Sequence, residues 1–413
     1  MPPDPRSQDA PPDVRAPLGF AYLFERFPSF SQTFCFREVS EMLALGLEFP
    51  VFSIRSPKDE PDQVFPPELS RVTRVLPQDF DAMIRQDPRG FGRQALQHQK
   101  ILVEEWGNES DRKRIYEALW LAPVLRAAGV RHVHAHFAGM AARTAYWLKR
   151  FAGVTFSFTA HANDVFVDEP KARLPELFAA AEFVATETDF SVRFIQEKFP
   201  AHAAKIHRVY NGIDAGRFAG LRHPDAPPLI LSVGRYIEKK GFLDLIDACA
   251  ALGDLPFHCL LVGQGPMEDE MRGRIARHNL QGKVEVAGTR NETEIAALLA
   301  RSSVFALACV KAGDGGSDNL PTVIMEAMAA GVPVVSTATA GVPEMVLDGV
   351  TGRLVSERSP DALARAIREI LENPAAGAQM GAAARERCRE RFDIRRTTET
   401  LRNLLRDHGA LRG

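Results

Sequence analysis

The sequence is poor in the features that mark several protein classes. It has five cysteines among 413 residues, and no two of them have a spacing suited to zinc or to a disulfide framework. They are Cys35, Cys249, Cys259, Cys309 and Cys388. We interpret them as small core residues of a protein kept in a reducing compartment.

A charge excess of either sign is also missing, and so is a long apolar run. The 51 basic and 53 acidic side chains leave a formal charge of −2, which gives no indication of a nucleic-acid partner. Since no run of about eighteen apolar residues occurs, we expect no membrane-spanning helix. Residues 1–17 contain six prolines among polar and charged residues, which predicts a disordered leader and not a signal peptide.

These absences predict a cytoplasmic protein, with peripheral attachment to the cytoplasmic face of the inner membrane left open. Two basic segments could provide such attachment, although solvated helix faces explain both equally well. The first contains Arg85, Arg89 and Arg93, and the second contains Arg143, Lys149 and Arg150 around Tyr146 and Trp147.

What the sequence does contain is a regular alternation of short apolar runs and helical patterns. A chain of 413 residues exceeds the size at which single cores stop growing, so two domains are expected. The alternation is typical of the α/β class, with a parallel sheet and crossover helices. The predicted strands of the first half are Gly19–Phe24, Val51–Ile54, His132–Ala135, Val154–Phe158, Phe183–Thr186 and Ile206–Tyr210. Residues 64–99 are predicted to be an irregular, partly helical insertion.

A second series of the same kind follows. Its predicted strands are Leu229–Val233, His258–Val262, Lys283–Ala287, Val304–Ala308 and Val334–Ser336. Two successive doubly wound, Rossmann-like units predict two similar domains with a cleft between their strand ends. We place the first over residues 18–212, a hinge near residues 211–228, and the second over residues 225–388. A last helical pattern from Gly377 to about Leu405 continues past what the second domain needs, so residues 389–413 form a separate terminal helix.

The most informative segment runs from Gly313 to Val335. It joins a glycine-rich loop, Asp318, a short helix from Pro321 to Gly331, the carboxylate Glu326 and a buried strand. Proline suits a first helical turn, and the free amides there, with the helix dipole behind them, suit an anionic or hydroxyl-rich ligand. Asp318 could instead simply cap the helix, and Glu326 could only complement the dipole.

Three further loops follow predicted strands. Gly234 and Arg235, with Lys240 five residues later, could neutralise a diphosphate, or could form a solvated loop paired with Glu238. Gly263 and Gly265 form a strand-to-helix turn that is a weak signal alone, because the third glycine of a dinucleotide fingerprint is missing. In the first half, a strand ends in the segment that contains His161 and Asp164, at the edge where open sheets bind ligands. The alternative is that His161 is a hydrogen-bonded structural histidine.

Together these motifs resemble those of the retaining glycosyltransferases of family 4, in the exopolysaccharide branch. The resemblance runs from Gly19 to about Leu405 and implies the GT-B fold, with the final helix returning to the first domain. Two acidic residues flank seven others in the family motif, and Asp318 and Glu326 occupy those positions. Asp318 is one methylene shorter than the usual glutamate. The loop from Phe27 to Phe34 also departs from members that carry a glycine pair there.

The resemblance implies a role for each matched residue. Glu326 would hold the donor ribose, Asp318 the transferred sugar, and Arg235 and Lys240 the donor pyrophosphate. His161 would bond the sugar, its phosphate or the acceptor. Gly234, Gly263, Gly265 and Gly288 would line the nucleotide pocket, together with the helix start at Asn319, Leu320 and Pro321. Ser31, Gln32, Thr33 and Asp164 would contact the acceptor or phosphate, although the first three could equally cap the following helix.

The implied activity is a metal-independent transfer of a hexose from a UDP-sugar or GDP-sugar donor. The acceptor would be a hydroxyl of a saccharide or glycolipid, lipid-linked, in the biosynthesis of a cell-surface exopolysaccharide or lipopolysaccharide. No cofactor is expected, and His134 and His136 share a strand face without a third metal ligand nearby in the sequence. The alternatives are a non-catalytic or regulatory sugar-nucleotide-binding GT-B protein, a GT-B epimerase or phosphorylase, and a nicotinamide dehydrogenase, which the missing third glycine disfavours.

Overall fold

The computed structural model describes residues 18–59, 65–106, 111–167, 173–218, 220 and 222–411. The predicted disordered leader, residues 1–17, lies outside this range. Within it, two entirely parallel sheets carry the fold, and helices connect successive strands.

The first sheet has seven strands in the order β3-β2-β1-β4-β5-β6-β7. Its strands are β1 Phe20–Arg26, β2 Val51–Arg55, β3 Thr73–Val75, β4 His132–His136, β5 Thr155–Ala160, β6 Val184–Thr186 and β7 Ile206–Arg208. The helices of this half are α1 Thr33–Ala44, α2 Pro67–Val72, α3 Phe80–Gln86, α4 Phe91–Trp106, α5 Arg112–Ala127, α6 Met140–Ala152, α7 Ala162–Phe166, α8 Leu174–Ala180 and α9 Asp189–Lys198.

The second sheet has six strands in the order β10-β9-β8-β11-β12-β13. Its strands are β8 Leu229–Val233, β9 His258–Val262, β10 Val284–Val286, β11 Val304–Leu307, β12 Val334–Thr337 and β13 Gly352–Val355. The helices are α10 Phe242–Ala251, α11 Glu268–Arg277, α12 Glu292–Arg301, α13 Thr322–Ala329, α14 Val342–Met345, α15 Pro360–Glu372, α16 Pro374–Phe392 and α17 Ile394–Asp407.

Both sheets reverse strand order between their first and fourth strands, as in Rossmann-like domains, so the predicted fold class is confirmed. The sequence accounts for this because the central strands are apolar on both faces. In β8, for example, Leu229, Ile230 and Leu231 are all buried, which requires helices above and below the sheet. The carboxyl ends of the two sheets supply the loops that build the candidate site.

The sequence prediction was wrong at three places. Residues 64–99 contain a short strand, β3, which pairs with β2, and three helices. The strand β13 was missed because only part of it is apolar, yet it pairs with β12 along its whole length. The single terminal helix is two helices, because Asp393 has an extended ψ of 129° and its side chain accepts a hydrogen bond from the amide of Arg395.

The last helix, α17, returns to the first domain. Its Leu401 and Leu405 are fully buried in one apolar cluster with Val39 and Met42 of α1. Burial of leucine side chains is worth roughly 1.5–3 kcal/mol each, which is enough to fix the helix there. Helix α17 therefore packs against the first domain, as the fold prediction required.

The second predicted basic segment makes several contacts within the first domain. Trp147 is fully buried and its indole Nε1 donates to Asp111 Oδ2 at 2.9 Å. Arg143 also pairs with Asp111, at 2.9 Å, and Lys149 pairs with Glu182 at 2.9 Å. Over the part of the chain that the structure describes, no helix has the length and apolar character needed to cross a bilayer.

Candidate active site

A buried cluster of two lysines and one aspartate lies where the second sheet faces the first domain. Lys240 and Lys239, in the turn before α10, both form ion pairs with Asp318, and the Lys239 Nζ–Asp318 Oδ1 distance is 3.2 Å. Burial alone lowers the pKa of Lys240, but the Asp318 carboxylate overrides this effect and the pKa is raised. The two lysines hold the pKa of Asp318 below its usual value despite burial. Lys240 and Asp318 are therefore both charged at neutral pH.

Arg235 extends this positive charge toward solvent. Its side chain is exposed, and no ion pair of its guanidinium occurs with any described residue. The predicted alternative, a loop paired with Glu238, does not form. Glu238 instead pairs with Arg358 at 2.9 Å and accepts a hydrogen bond from the amide of Gly313 at 3.1 Å.

The predicted glycines gather around these cations, at the ends of three adjacent strands. Gly234 follows β8, and the aliphatic stem of Lys240 lies over it, since a Cβ there would be 3.2 Å from Lys240 Cδ. Gly263 follows β9 with a φ of +154°, and a Cβ there would be 1.9 Å from the carbonyl oxygen of Gly234. The amide of Gly263 donates to the carbonyl of Gly288, beyond β10, at 2.9 Å. Only glycine allows the strand ends to approach this closely.

Asn319 joins the two domains through a buried hydrogen-bond network. Its Nδ2 donates to Glu187 Oε2 at 3.0 Å and to Ser191 Oγ at 3.1 Å, and its Oδ1 accepts from Thr188 Oγ1 at 2.7 Å. Glu187 in turn accepts from His161 Nδ1 at 2.6 Å. The network thus connects His161 of the first domain to the residue that follows Asp318 in the second.

His161 is buried and both of its ring nitrogens have protein partners. Besides Glu187, its Nε2 lies 3.2 Å from His136 Nδ1, and the rings of Phe34 and Phe137 pack against it. Burial alone lowers the pKa of His161, but the Glu187 carboxylate overrides it and the pKa is raised. The arrangement therefore favours the structural alternative, in which His161 orders the first domain's edge of the cleft.

His134 and His136 have a third potential metal ligand nearby, which the sequence did not reveal. Glu38 of α1 comes close to His134 and His136, with ligand atoms all within 4.8 Å of one another. However, both nitrogens of His134 are already hydrogen-bonded, to Ser157 at 2.8 Å and to Thr159 at 3.0 Å. Burial lowers the pKa of His134 well below its ordinary value. Burial also lowers the pKa of His136, so the two histidines are neutral members of a hydrogen-bonded core ladder.

The Asp164 carboxylate accepts hydrogen bonds from nearby backbone amides. Its Oδ2 accepts from the amide of Ala138 at 3.0 Å and from the amide of His161 at 2.9 Å, and burial raises its pKa to about 6. Because the same oxygen joins the loop after β4 to the loop after β5, Asp164 fixes the shape of this edge. In the structure its carboxylate is directed to these amides and not to an open loop.

The loop before α1 presents Ser31, Gln32 and Thr33. Gln32 occupies the cap position of α1 without a side-chain hydrogen bond to the helix, so the predicted capping role is not seen. Ser31 is exposed, and the other two residues are partly exposed. The polar groups of this loop are therefore available to a ligand.

Glu326 does not face open space but pairs with a residue of the first domain. Arg37 of α1 donates through Nη2 to Glu326 Oε1 at 2.9 Å and to Glu292 Oε2 at 2.8 Å. The Arg37 and Glu326 side chains are only 6% and 8% exposed. Burial raises the pKa of Glu326 although Arg37 opposes it. The Nη1 of Arg37 is buried without a hydrogen-bond partner among the described residues.

Sequence reasoning missed Arg37, Glu187 and Glu344. Glu344 of α14 accepts from the amides of Asp189 and Phe190, at 2.9 and 2.8 Å, at the start of α9 in the other domain. None of the three lies in a glycine-rich turn, and each has at least one hydrogen-bond partner in the other domain. The helix spacing of Arg37 gave no sign that a charged residue would be buried.

Comparison with known proteins identifies the family. The model of glycosyltransferase family 4 matches residues 32–217, and that of the glycosyl transferases group 1 matches residues 217–387. The two matches meet without a gap and cover both domains. The chain belongs to glycosyltransferase family 4. This transferase is 28% identical over 402 residues to the amylovoran biosynthesis glycosyltransferase AmsK of Erwinia amylovora, which covers 89% of the chain and 94% of the relative.

Other similar proteins support this family assignment. The transferase is 29% identical over 367 residues to the putative colanic acid biosynthesis glycosyltransferase WcaL of Escherichia coli, which covers 84% of this chain and 89% of that one. Among solved structures, HepE of Anabaena in complex with UDP has a TM-score of 0.71 at 18% identity, over 94% of this chain and 99% of the other. A glycosyltransferase of Rickettsia africae has a TM-score of 0.72 at 17% identity, over 94% and 98%. These structures establish the GT-B fold.

Proposed function

We propose that this transferase moves a hexose, with retention of configuration and without a metal, from a nucleoside diphosphate to a hydroxyl of a lipid-linked saccharide in exopolysaccharide assembly. The observation that carries the proposal is the buried Lys239–Lys240–Asp318 cluster, with exposed Arg235 beside it, at the carboxyl ends of the second sheet. AmsK and WcaL are named for polysaccharide biosynthesis, and HepE was crystallised with UDP-glucose. A UDP-sugar is therefore the first donor to test.

The cations would act on the leaving group. As the bond between the sugar C1 and the diphosphate breaks, negative charge develops on the phosphate oxygens, and Arg235 and Lys240 would stabilise it electrostatically. The acceptor oxygen would bond to C1 on the same face, and its proton would pass to a phosphate oxygen. The diphosphate would share Lys240 with Asp318, which leaves Asp318 close to the transferred sugar.

Glu326 would hold the ribose hydroxyls, as the family motif implies. Because Arg37 Nη2 already contacts Glu326, the ribose would bind beside an arginine of the other domain. The unpartnered Nη1 of Arg37 supplies a donor for a ribose or phosphate oxygen. Donor binding would thus engage both domains at once.

Donor binding can be tested by thermal shift with UDP, GDP, ADP and their sugars. A ligand at about 100 times its dissociation constant adds ~2.7 kcal/mol of stability, so the correct nucleotide should raise the unfolding temperature by several degrees. The absence of any shift across the panel would contradict the proposal. Binding without transfer or hydrolysis would favour the non-catalytic alternative.

Arg235→Ala should lower transfer at least about a hundredfold, because it removes one of the charges that stabilise the departing diphosphate. Its unfolding temperature should stay unchanged, since the side chain is exposed. Arg277→Ala, at an exposed position of α11, is the matched control and should transfer normally. Full activity of Arg235→Ala, or a strict need for a metal in assays with a chelator, would overturn the site assignment.

A lipid-linked acceptor also requires access to a membrane surface. On α4, Arg93, Leu96 and Lys100 lie three and four residues apart and share one helix face, and Leu96 is 59% exposed. Leu96→Glu should therefore reduce co-sedimentation with vesicles that contain anionic phosphatidylglycerol. Val350→Glu, at a residue 54% exposed in the other domain, should not reduce it. Equal binding of both variants would argue against this face.

A further inference from the structure

A second concentration of positive charge lies in the first domain, away from the donor residues. A cavity of about 550 Å³ opens at the carboxyl ends of β1, β2 and β3 and at the start of α5. The charged side chains that line it are Arg26, Arg55, Arg112, Lys113, Arg114 and Glu117. Among the described residues that line the cavity, five cationic groups therefore face one carboxylate.

Arg114 shows that this cavity is more than a solvated surface. The residue is only 6% exposed, and it forms an ion pair with Glu117, which also accepts from Thr144 Oγ1 at 2.6 Å. Glu117 thus holds the guanidinium in place in the wall of the cavity. The Nε of Arg114 is buried and has no acceptor among the described residues. A buried donor without an acceptor is costly, so the Arg114 guanidinium in the cavity wall keeps unsatisfied hydrogen-bonding capacity.

The backbone at the start of α5 also favours an anion in the cavity. Arg112 and Lys113 begin α5, a helix of 16 residues whose N-cap residue, Asp111, makes no side-chain cap bond. The first amides of the helix and its dipole favour an anion at that end. The side chains and the helix terminus therefore select the same ligand charge.

The position of the cavity relates it to the acceptor side of the cleft. In the first sheet β1 neighbours β4, and β4 neighbours β5, so β1 lies two strand spacings, or about 10 Å, from the strand that precedes His161. Arg235, Lys240 and Asp318 all belong to the other domain and do not line the cavity. A ligand in the cavity would lie along the same sheet edge as the reaction site without occupying the donor site.

We propose that this cavity binds a polyanionic phosphate group of the acceptor, of the diphosphate class, and thereby positions the acceptor along the sheet edge. The five cationic side chains, of which Arg55 pairs with Glu25 at 3.4 Å and Arg114 pairs with Glu117, suit a diphosphate better than a single carboxylate, and arginine guanidinium groups match phosphate oxygens in bidentate geometry. That the group belongs to the acceptor rests on the proposed function. The existence of the anion site does not depend on the proposed function.

The test uses the full chain and inorganic pyrophosphate as the probe, measured by isothermal titration calorimetry. The titration is carried out in the Arg235→Ala background and, separately, with saturating UDP, so that the donor site does not contribute. We expect pyrophosphate to bind in both cases, and the double variant Arg55→Gln/Lys113→Gln to weaken this binding about tenfold or more. The double variant Arg71→Gln/Arg85→Gln, at exposed positions of the same domain outside the cavity, should bind as the parent does.

Three results would overturn the anion site. These are the absence of pyrophosphate binding in the Arg235→Ala background, equal binding by both double variants, and loss of binding to anionic vesicles by the cavity variant with pyrophosphate binding intact. Arg55 and Lys113 are exposed, so their variants are expected to fold. Failure of UDP to bind would contradict the donor assignment. The titration of pyrophosphate in the Arg235→Ala background would still test the cavity.

Transfer assays distinguish the source of the phosphate. With an acceptor that carries a diphosphate, the cavity variant should show a KM raised about tenfold and little change in kcat. With the same saccharide lacking phosphate, the cavity variant and the parent should have equal KM values. A raised KM for both acceptors would show that the cavity does not recognise the acceptor phosphate.

Discussion

At the scale of single residues, Arg37 has the largest structural consequence. Its guanidinium crosses from α1 to two carboxylates of the second domain, and its exposure is only 6%. A buried ion pair stabilises little compared with apolar packing, but loss of one partner leaves an uncompensated charge. Glu326→Ala should therefore lose stability as well as transfer, because it would leave Arg37 with one partner fewer.

Arg37→Gln should lower the free energy of unfolding by roughly 3 kcal/mol, since Glu326 and Glu292 would be left close together without their shared cation. Arg217→Gln is the matched control. Arg217 also pairs with Glu292, at 2.9 Å, but its side chain is 54% exposed, so the loss should be at most about 1 kcal/mol. Urea unfolding followed by circular dichroism measures both values. Equal effects would contradict the importance of the buried bridge.

A second prediction at the residue scale concerns the backbone at Gly263. Gly263→Ala would place a Cβ 1.9 Å from the Gly234 carbonyl oxygen at a positive φ, so it should cost roughly 2 kcal/mol or more. Gly273→Ala, in helix α11 with nothing within 4 Å of the new methyl group, should be neutral or stabilise by up to about 1 kcal/mol. The unfolding midpoints of the two variants test this difference in stability. Similar midpoints would show that the strand ends can separate.

At the scale of secondary-structure elements, helix α9 depends on the other domain for its N-terminal cap. Thr188 satisfies one of its first amides, the amide of Ser191, at 3.0 Å, while Glu344 of α14 accepts from the two before it. The same carboxylate accepts from the hydroxyl of Tyr210 at 3.0 Å. One side chain thus couples a helix start to the approach of the two domains.

Glu344→Ala should cost about 1–2 kcal/mol and loosen the contact between the domains, because two amides lose their acceptor and the helix dipole loses its counter-charge. Small-angle X-ray scattering should show a larger radius of gyration than for the parent. Glu294→Ala removes a cap within one domain, where Glu294 accepts from the amide of Asn291 at 2.8 Å, and should leave the radius unchanged. An unchanged radius in both variants would contradict the coupling.

At the scale of the whole molecule, the cleft is bridged by charged and polar pairs. One bridge is the His161–Glu187–Asn319 network, in which the pKa of His161 is raised above 6.5 and that of Glu187 is lowered below 4.5. The His161 contribution to stability is complete below pH 6.5 and is lost as the pH rises through the raised pKa. The Glu187 contribution is present above pH 4.5 and is lost as the pH falls through the lowered pKa.

The unfolding temperature should therefore decline as the pH rises above about 6.5 and through the raised pKa of His161. His161→Gln should flatten this decline, because the titrating partner of Glu187 is gone. His278→Gln, which removes a histidine paired with Asp247 at 2.8 Å on the surface of the second domain, should keep the decline. Differential scanning fluorimetry across this pH range measures it. A decline of equal size in His161→Gln would show that another group is responsible.

Some of this architecture could be predicted from residues alone, because its cause is local. Apolar runs such as Leu229–Val233 and His258–Val262 were predicted with their observed bounds, since buried strands have a recognisable pattern of their own. The glycine turns were identified because backbone that must approach closely requires glycine. The weakly apolar strand β13 and the short strand β3 could not be found, since they are strands only because β12 and β2 pair with them.

The sequence by itself determined the fold class, the order of the motifs and the identity of the cations at Arg235 and Lys240, because propensity, periodicity and turn chemistry act over a few residues. The tertiary structure alone decided which groups meet. Glu326 pairs with Arg37, which is 289 positions away along the chain, and Asn319 reaches Glu187 across the cleft. Such pairs form only when two separately folded sheets come together, so no local pattern encodes them. The same is true of the basic cavity, which gathers side chains from β1, β2 and α5.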